Sequence, residues 1–60
     1  MGKRKQNDHK FNIVHEGYIV DGTDDIDMAL VMYMDWDSGY TGITVVNSIN
    51  NDITEKVLGD

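Results

Sequence analysis

Sixty residues allow one domain at most, and a chain this short buries only ~60% of the surface its unfolded form exposes. With no cysteine, neither a disulfide framework nor a thiolate zinc site can staple it, which leaves a partner or a second copy as the route to extra stability. The net charge of −6 is split: residues 1–10 carry Lys3, Arg4, Lys5 and Lys10 against Asp8, a net +3, whereas residues 11–60 carry ten carboxylates against Lys56, a net −9. A body this acidic repels nucleic acid and attracts basic protein surfaces in a salt-dependent way.

In chain order, "MGKRKQNDHK" reads as a flexible basic arm, residues 1–10, and the single acidic domain as residues 11–60. The arm lacks an apolar signal region and Gln6 breaks the myristoylation pattern, so a cytoplasmic location is expected. "FNIVHEGYIV" alternates in β-forming residues and predicts a first strand, with Gly17 as a bulge before Tyr18. "DGTDD" has turn chemistry.

"IDMALVMYMDW" is apolar enough for a buried helix or a buried strand. The strict alternation of Ile26, Met28, Leu30, Met32, Met34 and Trp36 favours a central strand, with Ala29, Val31 and Tyr33 on its other face. "DSG", Asp37 to Gly39, predicts a hairpin turn into "YTGITVV". In the last segment Val46, Ile49, Ile53 and Val57 follow helical spacing, with Asn47 or Ser48 as cap, Lys56 in the last turn and Gly59 at the stop. The expected fold is α+β, a small three-stranded antiparallel β-meander followed by one C-terminal helix, the alternative being an all-β four-stranded meander. One helix cannot cover both faces of such a sheet, so a homodimer or a host-protein interface is expected.

Catalysis is not expected. The histidines are His9 in the arm and His15 beside Glu16, which strand geometry points to opposite faces, and there is no phosphate loop or nucleotide fingerprint. Asp24, Asp25 and Asp27, or Asp35 with Asp37, lack calcium-loop spacing and read as solvated turns, so neither a metal nor a cofactor is expected.

The candidate binding surface is an acidic rim, Asp21, Asp24, Asp25, Asp27, Asp35 and Asp37, which steers a partner, and an aromatic and Met surface, Tyr33, Met34, Trp36 and Tyr40, which holds it. The expected function is a non-enzymatic regulator or inhibitor that docks on a basic protein surface, with nucleic-acid mimicry as one form of it. In size, acidity and lack of cysteine the chain resembles small phage-encoded proteins that inhibit host machinery, although no motif identifies a family. The alternatives are a nucleic-acid-binding accessory acting through Lys3, Arg4, Lys5 and Lys10, and a self-associating structural protein.

Overall fold

The computed structural model describes residues 9–59, so Lys3, Arg4 and Lys5 of the basic arm lie outside the described residues. Three antiparallel strands and two helices follow in the order β1 (Phe11–His15), β2 (Tyr18–Thr23), α1 (Ile26–Gly39), β3 (Thr44–Val46) and α2 (Thr54–Leu58). The class is α+β, with a three-stranded antiparallel sheet and a C-terminal helix, but its elements fall differently from the expected meander.

The predicted first strand is a hairpin. Glu16 (φ 54°) and Gly17 (φ 82°) both take left-handed backbone, and His15 pairs with Tyr18 across them. Two consecutive positive φ angles are what a tight two-residue hairpin turn requires. The bulge sits at Val20 and not at Gly17: Ile13 pairs with Asp21 and Val14 with Ile19, which leaves Val20 as the extra residue.

The second correction concerns residues 26–39, which form a helix where a central strand and a hairpin turn were expected. The aspartates ahead of it decide the matter. Asp25 has extended backbone and its carboxylate accepts the Asp27 N–H at 2.9 Å, while the Thr23 hydroxyl oxygen accepts the Asp25 N–H at 3.1 Å. That is an N-cap, with Asp27 placed favourably at the positive end of the helix dipole. Met28, Ala29, Leu30, Met32 and Met34 are good helix formers, so local preference agrees with the cap. Gly39 closes the helix without a positive φ; the left-handed glycine of this region is Gly42 (φ 72°), just before β3.

The sheet order is β2-β1-β3. Both outer strands run antiparallel to β1 and therefore parallel to each other, so α1 is a crossover that carries the chain over β1. A helix of 14 residues spans about 21 Å, ample for a sheet of this size. Ile13 and Val45 face each other in the register and are fully buried, and with Ala29, Ile43 and Val57 they form the core between the sheet and both helices. On the opposite face Asn12 is buried beneath His9: its amide nitrogen donates to the His9 carbonyl at 2.8 Å and to the Val46 carbonyl at 3.3 Å, and its Oδ1 accepts from no donor.

The third correction lies between β3 and α2. The predicted stripe fails because Asn47 does not cap a helix; its Oδ1 accepts from Ile49 N at 3.0 Å and Asn51 N at 2.9 Å and folds a turn in which Asn50 takes φ 70°. Ile49 is left 73% exposed. The helix starts only at Thr54, and it ends as expected on Gly59 (φ 99°) with Lys56 in its last turn. The segment ahead of it seals the outer edge of β3: Ile53 N donates to the Val45 carbonyl at 2.8 Å, and Val45 N donates to the Thr54 hydroxyl at 2.9 Å.

Candidate functional site

The most distinctive surface is the outer side of α1. The side chains that meet the core are Ala29, Leu30, Met32, Tyr33 and Trp36, which lie on one face of a helix. Yet the opposite face is not polar. Val31 and Met34 are 59% and 60% exposed, Ile26 and Met28 are about half exposed, and the exposed polar residues of the helix are Asp27, Asp35, Asp37 and Ser38. The outer face of a surface helix is normally polar, and here apolar side chains share it.

The capped turn gathers the first half of the expected rim at the start of α1. Asp21 sits on β2 and accepts the Gly22 N–H at 2.9 Å, Asp25 is the cap, and Asp27 lies in the first turn. Asp24 accepts the Lys10 backbone N–H at 2.9 Å and lies 3.4 Å from His9 Nδ1. The Lys10 hydrogen bond, with His9 adding to it, holds the Asp24 carboxyl below its ordinary range even though the group is solvent-facing. Lys10, the one cation of the arm among the described residues, is thus fixed by its backbone against the acids of the body.

Asp35 and Asp37 stand in the last turn of α1, where the dipole favours cations and no basic residue is present. Tyr40 follows the helix, donating its backbone N–H to the Trp36 carbonyl at 3.0 Å, and its ring lies 5.4 Å from the Trp36 ring and 5.0 Å from the imidazole of His15. Here the turn of the hairpin meets the end of the helix, and His15, Glu16, Asp37 and Tyr40 line an open cleft of about 580 Å³.

Of the expected contact residues, Met34 and Tyr40 are exposed, whereas Tyr33 and Trp36 are half-buried against the core. The six carboxylates lie in two groups, one towards each end of α1. Sequence reasoning did not name Ile26, Met28 and Val31 as contact residues, nor His15 and Glu16 as neighbours of Tyr40. The first three follow from laying residues 26–39 on a helical wheel, while the last two needed the hairpin turn. Among the described residues no group of three or more His, Asp or Glu side chains is placed to hold a metal ion, and no helix is long and apolar enough to cross a membrane. No family model, no curated protein and no solved structure matches the chain.

Proposed function

We propose that the protein is a non-enzymatic binding module, a regulator or inhibitor, that docks the outer face of α1 on a basic protein surface. The observation that carries this reading is the exposed stripe of Met28, Val31 and Met34 bracketed by carboxylates at both helix ends. Completing the burial of Val31 and Met34 is worth roughly 1 to 2 kcal/mol apiece, while the charges raise the on-rate. Methionine adapts to irregular partners.

Charge also discriminates between occupants. Pairing α1 with its copy about a two-fold axis at Val31 would set Asp27 of each chain opposite Asp35 of the other, with no cation on the helix to offset the repulsion. A partner with Lys or Arg flanking an apolar patch is the better fit. Carboxylates grouped at two ends with an apolar middle are unlike evenly spaced phosphates, which favours contact-driven docking over nucleic-acid mimicry. The place of action in this reading is the cytoplasm.

The test compares the tagged chain with its Val31→Lys, Met34→Lys double variant as baits in bacterial lysate, with and without nuclease treatment, at low and high salt, with captured proteins identified by mass spectrometry. A basic protein held by the wild type, released as salt rises and lost by the variant supports the proposal. Equal capture by both baits refutes it, and material held only without nuclease moves the function to the basic arm.

A further inference from the structure

From the cleft between the hairpin turn and the end of α1 we infer a site for one arginine side chain of the partner, with the guanidinium beside Tyr40 and between the carboxylates of Glu16 and Asp37. The source of the arginine rests on the docking reading above; the chemistry of the cleft does not. Three features of the corner, one of them reaching it from the hairpin, converge on a planar cation.

The first is the aromatic lining. Tyr40 is 51% exposed although it is held between His15 and Trp36 at ring distances of 5.0 and 5.4 Å. An accessible ring fixed by its neighbours offers π surface with little side-chain freedom left to lose, and arginine is the cation most often found against aromatic rings.

Carboxylates supply the second feature. Glu16 comes from the hairpin and Asp37 from the helix, both line the cleft, and among the described residues neither has a hydrogen-bond or ion-pair partner. A guanidinium presents five N–H donors in a plane and can serve two carboxylates at once, which a lysine ammonium does less well. The third is the last turn of α1, whose carbonyl end is partially negative and carries no Lys, Arg or His to balance it. The corner thus lacks the one charge that its dipole, its acids and its rings all favour. A metal ion is the poorer occupant, because no third ligand joins Glu16 and Asp37.

The full-length chain, labelled with ¹⁵N, would be titrated with N-acetyl-argininamide and with N-acetyl-citrullinamide, the neutral analogue of almost the same shape, and followed by the amide signals of 15–17 and 36–41 and the Trp36 indole N–H. Saturable shifts centred on these residues with the arginine probe, at least about fivefold weaker with the citrulline probe, are expected. Asp37→Asn should weaken the response several-fold, and Tyr40→Leu roughly two- to fivefold, the size of an exposed cation–π contact. Equal response to both probes, shifts confined to residues 21–27, or an unchanged response in Asp37→Asn would overturn the site. An Arg4→Gln variant that alone reproduces the probe's shifts in reverse would also overturn it, since the chain's own arm would be the occupant. The Val31→Lys, Met34→Lys variant should bind the probe like wild type. Probe binding by a wild-type chain that holds no basic partner, or that holds it no better than the variant does, therefore sinks the docking face and not the cleft, and selective partner capture without probe binding sinks the cleft alone.

Discussion

Replacing Glu16 by Asn should make the protein more stable while weakening the proposed arginine site. Glu16 holds φ 54° in a turn where both central residues are left-handed, and its side chain is exposed with no partner among the described residues. Left-handed backbone costs an L-residue about 1 to 2 kcal/mol, a cost that Asn largely escapes and Glu does not. Since no contact is lost, Glu16→Asn should gain roughly 1 kcal/mol, and Glu16→Gly somewhat less because glycine loses more chain entropy on folding. For a domain of this size 1 kcal/mol corresponds to about 4–8 °C in Tm. Glu16→Ala separates the causes: it removes the same charge but keeps a Cβ, so its Tm should stay near that of wild type. Thermal unfolding followed by circular dichroism at pH 7 checks all three. If Ala stabilises as much as Asn, relief of charge repulsion and not backbone strain is responsible; if neither Asn nor Gly stabilises, Glu16 is not left-handed and the turn is wrongly described. In the same samples Glu16→Asn should lower affinity for the arginine probe, so the strained residue would be one held for its charge.

At the start of α1, Asp25→Ala should cost about 1 kcal/mol in urea unfolding and Asp25→Ser almost nothing, because only the first removes the acceptor for the Asp27 N–H. Thr54→Val should cost about 1–2 kcal/mol by leaving the Val45 N–H of β3 without its acceptor. The same change should raise the Asp52 carboxyl toward 3.8, its ordinary value, since the Thr54 hydroxyl and then the Thr54 N–H are what lower it; carbon-detected NMR titration reads this directly. Because the folded-state values of Asp24 and Asp52 lie below the unfolded ones, what each contributes is present at neutral pH and fades as pH falls below 3.8 through the folded value, with Asp24→Ala removing the part that tethers Lys10. The Val31→Lys, Met34→Lys variant should unfold within about 0.5 kcal/mol of wild type, as both side chains already face solvent; a large loss would show that they pack in the free protein.

The start of the first strand at Phe11, the α+β class and the end of the last helix at Gly59 were legible because each rests on local chemistry: the onset of apolar residues, β-branched alternation, and a glycine free to take a positive φ. Residues 26–36 were not legible by periodicity. When nearly every position is apolar, the even-numbered set and the set 29, 30, 32, 33 and 36 are equally good stripes, and the deciding information lay outside the run in the Asp25 cap. The hairpin was hidden because Glu-Gly lacks the Asn-Gly or Asp-Gly signature of its turn, so a strained residue masked the element that it connects. Asn47 misled in the opposite direction, since the oxygen that would cap a helix can equally fold a loop. The candidate site shared these fates. Its charged ends were visible, and its apolar centre and its His15–Glu16 corner became visible only with the helix and the turn in place.

The crossover helix also sets the order in which this chain can be completed. The β1–β2 hairpin needs only neighbouring residues, and such hairpins close in about 1–10 μs. The other edge of β1 stays open until α1 has carried the chain across and Thr44–Val46 docks, and the edge of β3 stays open until residues 52–54 seal it. A nascent chain on the ribosome therefore holds a hairpin and a helix with a bare strand edge until residues 44–54 emerge. During that interval, more than at any time in the finished fold, the protein is exposed to pairing with the wrong strand.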